Sequence, residues 1–347
     1  MDIFKLKQNN TTVKTELNAA LTTFLAMLYI VPVNALILSD AGMPKDALLV
    51  ATALITIIAT IFNGLWANTP VALSTGMGLN AYFTYSMVIG MQIPWQTALG
   101  AIFISSAIFT ILSFTNFRLW IIKNIPLDLR CAISAGIGAF ICFIGLSQMG
   151  LIVASPATKV AIGNISDPKV LVGVIGIIFM ILFWTLKLRG GFVLAIAVTS
   201  IGAWIFGIYE TPKEIISIPV SIAPIFGELD ILSALKISLL PAVLTLFVTH
   251  LFDSIGTLTG VGNRANLFTH ADGEKKLAKN LESDAIASMG GAVIGTSTIT
   301  AFAESTVKVP NDLTVTPIRI FFACVVIVGF VVMEILFNRI RSQRIEK

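Results

Sequence analysis

ALLVATALITIIATIFNGLWANTPVALSTGMGLNAYFTYSMVIGMQIPWQTALGAIFISSAIFTILSFTNF, residues 47–117, contains no Asp, Glu, Lys or Arg. One crossing of the hydrocarbon core takes roughly 20 apolar residues, so this run has room for three helices in succession. A soluble core does not read that way, because each of its elements keeps a charged or polar side for water. The whole chain agrees: of 347 residues, 56% are hydrophobic and 12% charged, and mean hydropathy is +0.90. That charged share is about half of what ordinary soluble domains carry.

Outward from this run, apolar spans are read at Leu17–Leu38, Ala47–Trp66, Val71–Gly90, Gln96–Phe114, Leu129–Leu151, Val170–Leu186, Phe192–Ile208, Ile231–Phe252 and beyond, and Ala285–Gly295. A shorter, polar-tinged stretch covers Thr296–Thr306, and a last apolar run covers Ile318–Phe337. The expected fold class is an all-α polytopic membrane protein, since a spanning helix satisfies its own backbone and irregular backbone survives only under protein or water cover. Lys and Arg concentrate in alternate loops, with Lys5, Lys7 and Lys14 before the first span and Lys275, Lys276 and Lys279 after the eighth. By the positive-inside rule this predicts a cytoplasmic N-terminus. The net charge of +4 then reflects loop orientation and gives no reason to expect nucleic acid as a partner. FRLWIIKN, 117–124, is expected to lie as a short helix at the cytoplasmic interface, with Trp120 at headgroup depth. Cys131, Cys142 and Cys324 have no metal or redox spacing and read as small packing residues; no metal or cofactor is implied.

Two acids stand alone in apolar sequence. Asp253 is the only formal charge between Ile237 and Asn263, and Glu304 the only one between Ala285 and Val307. A carboxyl group in a membrane costs several kcal/mol unless it is protonated, paired or facing a water-filled cavity, so such residues mark substrate or proton pathways. Two stretches break the apolar pattern alike: ALSTGMGLNAYFTY, 72–85, and GTSTITAFAEST, 295–306. Interrupted helices in corresponding places point to a transporter's midplane site. Asn80 and Glu304 sit within these breaks, whereas Gly256-x-x-x-Gly260 and Gly291-x-x-x-Gly295 are read as helix packing. His250, three residues before Asp253, shares its face on a regular helix and is a candidate proton relay, although hydrogen-bonded packing is the preferred reading. Pro241 is expected to bend the eighth span.

TELNAALTTFLAMLYIVPVNALILSDAGMP (15–44), GMGLNAYFTY (76–85), LFDSIGTLTGVG (251–262) and GTSTITAFAES (295–305) together resemble the AzgA-like purine permeases of the nucleobase–cation symporter 2 superfamily. The resemblance runs in order from about Thr15 to Ser305. It implies an inverted-repeat nucleobase transporter fold, fourteen spans in two repeats, with a core domain moving against a gate domain and short paired strands in broken helices 3 and 10. It implies a core at residues 1–115 and 211–308, the first half of the gate at 116–210, and a divergent terminal span with a basic tail at 309–347. Carried over by motif, it implies that Asn80, Asp253 and Glu304 hold a purine nucleobase such as guanine, hypoxanthine or adenine. It further implies that a proton is the coupled ion, a homodimer the candidate assembly and the bacterial plasma (inner) membrane the location.

The residues suit that chemistry. A purine edge presents N–H donors beside carbonyl or ring-nitrogen acceptors, which a carboxyl and an amide can match two at a time. Which acid carries the proton stays open. After Ser305 the resemblance fades, and one apolar run stands where it implies four spans, so the second repeat reads as incomplete. That run stands in for span fourteen or span eleven; both stay open. The competing expectations are a uracil or xanthine carrier of the same fold and a shortened, non-transporting relative. An intramembrane protease is disfavoured, because neither GxGD nor HExxH occurs.

Overall fold

The computed structural model describes residues 12–115, 127–156, 158–186, 188, 191–208, 219–265, 267–268, 273–302 and 305. They fall into two compact units, Met1–Ile137 with Ile218–Lys347, and Gly138–Ser217.

In the first unit, α1 (Val13–Met27) and α2 (Ile30–Ser39) divide the stretch expected as one span. Pro32 is the cause: it has no N–H for the carbonyl of Leu28 and its ring crowds that carbonyl, so the ladder opens at Leu28–Tyr29. Helix α3 (Lys45–Trp66) is continuous. It buries Leu48, Ala51, Thr52, Ile55, Thr56, Ala59, Thr60 and Asn63 along one side and leaves Leu54, Ile58 and Leu65 exposed on the other. Large apolar residues facing outward suit a lipid surround.

The stretch expected as the third span is strand β1 (Leu73–Thr75), then α4 (Met77–Ala81), continued by a π-helix over Tyr82–Gly90. Helix α5 (Trp95–Ser113) follows, and α6 (Leu127–Gln148) runs into the second unit.

The chain returns to the first unit at α9 (Ile231–Ala234), whose first turn is capped by Asp230 accepting from the Ser233 N–H at 3.0 Å. After one 3-10 turn, α10 (Leu240–Ala265) and α11 (Gly273–Ile294) lead to strand β4 (Ile299–Ala301). Pro241 does not bend the middle of a span as expected. It is the second residue of α10, in the first turn, where no intrahelical bond is lost and proline's fixed φ suits the helix. Helix α11 begins well before Ala285, because GEKKLAKNLESD is rich in helix formers despite its polarity. Among the described residues, Lys45–Trp66, Trp95–Ser113 and Ile237–Gly262 are long and apolar enough to cross a membrane.

Helix α11 packs on α3 and α5, and α10 packs on α5. Their shared core includes Leu48, Ile55, Leu99, Ile102, Phe109, Leu246, Ile255 and Leu281. The turn from α11 into β4 depends on Gly295, at φ +94°, where a Cβ would stand 2.4 Å from the carbonyl oxygen of Ile225. Gly295→Ala therefore combines a left-handed backbone with a clash against main chain, and a loss of about 2 kcal/mol or more is expected. A lower thermal unfolding midpoint of the purified protein in detergent checks it.

The second unit contains the rest of α6, the hairpin of β2 (Ile152–Ser155) and β3 (Lys159–Ile162), and helices α7 (Pro168–Thr185) and α8 (Gly191–Ile205). Lys159 takes a positive φ of 67° at the tight turn of the hairpin. Helices α7 and α8 pack together, with Thr199 seated where a side chain at Gly176 would be.

Candidate functional site

Strands β1 and β4 pair antiparallel with Leu73 opposite Ala301, Ser74 opposite Thr300 and Thr75 opposite Ile299. Gly76, just past β1, closes this ribbon and opens the helix 77–90. The N–H groups at that helix start have no intrahelical acceptor and carry partial positive charge. Asp253 on α10 meets this point: a Cβ at Gly76 would lie 3.6 Å from Asp253 Oδ2 and 2.2 Å from Thr300 Cγ2. The Thr300 side chain crowds the same point from β4, with its hydroxyl donating to the Ala301 carbonyl oxygen at 3.2 Å. A carboxyl, a helix start and a strand end thus share one spot, and Asp253 is only half-buried there.

Asn80 is placed differently. It is fully buried, and its Nδ2 donates to Asn34 Oδ1 on α2. Asn34 in turn donates to Thr52 Oγ1 at 2.6 Å and to Thr296 Oγ1 at 3.1 Å. These bonds tie α2, α3, α4 and the approach to β4 into one hub, and the Asn80 Oδ1 remains a buried acceptor without a hydrogen-bond partner. The structure brings Asn80 to Asn34, and no hydrogen bond joins it to Asp253.

His250 is also fully buried, one turn before Asp253 on α10. Its Nε2 lies 3.1 Å from the Ile299 carbonyl oxygen, 3.3 Å from Asp284 Oδ1 and 3.3 Å from Ser288 Oγ, and its ring meets Phe109 edge-on. Glu304 lies outside the described residues, as do FRLWIIKN at 117–124 and everything after Ser305. Ser305 itself accepts from the Ala72 N–H at 3.0 Å, holding the chain beside β1.

Asp284 was not among the residues singled out in the sequence. It is fully buried on α11, against His250, yet it is the last residue of a polar stretch and sits one position outside the apolar run. The available signal is its spacing, since Asp284 and Ser288 are four apart and share a helix face. A second unnoticed feature is a polar row on α3. Thr52 reaches Asn34 at 2.6 Å, Thr56 reaches Ser74 at 2.7 Å, Thr60 reaches the Leu73 carbonyl at 2.9 Å and Asn63 reaches that of Val71 at 2.7 Å. Positions three or four apart lie on one face, so a single helix edge reads the backbone of β1 and its approach.

Comparison with known proteins extends this picture. The model of a family described as the Permease family matches residues 14–338. Two adenine permeases of Escherichia coli are similar, one 42% identical over 88% of this chain and 68% of its own, the other 39% identical over 87% and 68%. A guanine/hypoxanthine permease of Bacillus subtilis is 35% identical over 92% of this chain and 76% of its own. Among solved structures, the transmembrane domain of a cyanobacterial bicarbonate transporter superposes with a TM-score of 0.65 over 93% of this chain and 83% of that one. At 14% identity that likeness concerns the fold alone, a helical membrane-transporter fold.

Proposed function

Because this chain belongs to the nucleobase permease family, and is an integral membrane permease and not an enzyme, we propose that it imports purine nucleobases together with protons. The observation that carries this reading is the half-buried Asp253 carboxyl set against the start of helix 77–90 and the Thr300 side chain. A carboxyl group there offers a purine edge an acceptor and, when protonated, a donor, while the helix start adds N–H groups. Glu304 belongs to the proposal as a second acid of the site, by its motif alone. Asn80 contributes indirectly, by holding the helix 77–90 through Asn34. Gain and loss of a proton by these acids would couple uptake to the proton gradient, because only differential affinity between two states can drive a transition.

The same reading takes residues 1–115 and 211–308 as a core and 116–210 as the first half of a gate. The helices interrupted by β1 and β4 are then the corresponding half-helices of inverted repeats. It takes the plasma membrane as the location, with the N-terminus cytoplasmic. Relatives named for adenine and for guanine/hypoxanthine both support the purine class.

Radiolabelled uptake in a bacterial strain lacking its own purine carriers tests the reading. Saturable uptake of hypoxanthine or adenine is expected, stimulated by an inward proton gradient and abolished by a protonophore. Uptake of uracil in preference to hypoxanthine and adenine would overturn the purine class, uptake of xanthine in preference to both would overturn the assignment to adenine, guanine or hypoxanthine, and indifference to the protonophore would overturn the coupling.

A further inference from the structure

A two-stranded ribbon inside a membrane has two open edges, and every N–H and C=O on them needs a partner that is not water. The register shows which groups these are. Gly76 N–H donates to the Thr298 carbonyl at 2.9 Å and Phe302 N–H to that of Ala72 at 3.0 Å. Since paired positions alternate along an antiparallel ladder, Leu73 and Thr75 on β1 and Ile299 and Ala301 on β4 turn their backbone groups outward.

Leu73 and Ile299, the first residues of the two strands, are each met by one hydroxyl from the helix preceding the strand. On α3, Thr60 Oγ1 donates to the Leu73 carbonyl at 2.9 Å and accepts from the Leu73 N–H at 3.1 Å. On α11, Ser288 Oγ donates to the Ile299 carbonyl at 2.9 Å and accepts from the Ile299 N–H at 2.8 Å. A hydroxyl has one donor and two acceptor sites, so it can serve both groups of one residue as a third strand would. The two clamps are equivalent in chemistry, in the strand position they hold and in the helix that supplies them. On the β4 side His250 adds to the clamp. Its Nε2 lies 3.1 Å from the Ile299 carbonyl oxygen, an acceptor, so the tautomer with its hydrogen on Nε2 donates to the strand.

We propose that Thr60 and Ser288 are positioning residues of the carrier: each pins the first residue of one strand at the edge of the ribbon and so fixes where Gly76 and Thr300 stand against Asp253. A ladder of three residue pairs is too short to hold its own register, and a slip of one residue would turn the Thr300 side chain to the opposite face. The clamps sit on the outward groups and resist that slip from outside. His250 acts with Ser288 as a hydrogen-bond donor to the strand.

This inference rests on the nucleobase-carrier reading for its kinetic test and stands apart from it in a second one. Ser288→Ala and Thr60→Val remove a hydroxyl with little change of volume, and Thr60→Ser keeps the hydroxyl and removes a methyl. Measured on the full chain in proteoliposomes, the first two are expected to raise the uptake KM about tenfold while Vmax per inserted molecule changes little. Thr60→Ser is expected to behave as the parent. Hydrogen exchange of the purified proteins is expected to quicken at residues 71–76 and 297–302 in Ser288→Ala and Thr60→Val alone. Unchanged KM with unchanged exchange in those two variants overturns the proposal, as does a Thr60→Ser variant as impaired as Thr60→Val. A parent protein that carries no nucleobase overturns the carrier reading alone, and the exchange comparison then decides the clamps.

Discussion

Asp253→Asn is expected to lower nucleobase uptake about 10- to 100-fold, with most of the loss in KM. A hydrogen bond to a charged or strongly polar partner in a buried site is worth about 1.5–3 kcal/mol, and tenfold in affinity corresponds to about 1.4 kcal/mol. The amide keeps the size of the carboxyl but cannot gain or release a proton, and one of its two acceptor positions becomes a donor. Packing is little disturbed, because Asp253 is half-buried beside Gly76, which contributes no side chain. Loss of uptake with a normal amount of inserted protein is therefore the expected result, and the variant whose residual uptake no longer responds to the proton gradient, Asp253→Asn or Glu304→Gln, identifies the acid that carries the proton. The same measurement on Glu304→Gln assigns the second acid. Normal KM and normal gradient dependence in both variants would remove the site assigned to these acids.

How much of this is legible in the sequence differs from feature to feature. The uncharged run 47–117 contains α3 and α5, both long and apolar enough to cross a membrane, and hydropathy suffices to read them because lipid tolerates no charged face. Family membership is legible for another reason: four motifs in order, each constrained at several positions, leave little room for coincidence. Asp253 stands out because its neighbours are apolar. Asp284, the more deeply buried of the two, does not, because KKLAKNLESD surrounds it with the composition of a solvated helix while tertiary packing buries its last residues. Burial of a polar helix face is set by what packs on it, here α3 and α5, and periodicity within one segment carries no record of that. The partnership of β1 with β4, more than 200 residues apart in sequence, is not readable from composition or periodicity, and only the family resemblance led to an expectation of paired strands there. Each strand is three residues of small and β-branched type, a pattern shared with close helix packing, and only the partner distinguishes the two.

Gly76 links that strand pairing to the site, and the second large effect is expected there. Its φ of −76° is ordinary, so backbone strain plays no part, and any side chain fails for lack of room. An alanine Cβ would stand 2.2 Å from Thr300 Cγ2, well inside contact distance, and 3.6 Å from Asp253 Oδ2. Thr300 is β-branched and has few alternatives at χ1; turning its methyl away would also move the hydroxyl that donates to the Ala301 carbonyl. Gly76→Ala must therefore push β1 from β4 or displace Thr300, at a cost of about 1–3 kcal/mol for an overpacked site, and uptake is expected to fall about tenfold or more. If the methyl is the obstacle, Thr300→Ser removes it and keeps the hydroxyl. The double variant Gly76→Ala with Thr300→Ser is then expected to recover most of the uptake lost in Gly76→Ala. Such recovery appears as a favourable coupling in a double-mutant cycle, which residues without contact do not show. Additive losses in uptake would mean that Gly76 is needed for something other than the close approach of the two strands.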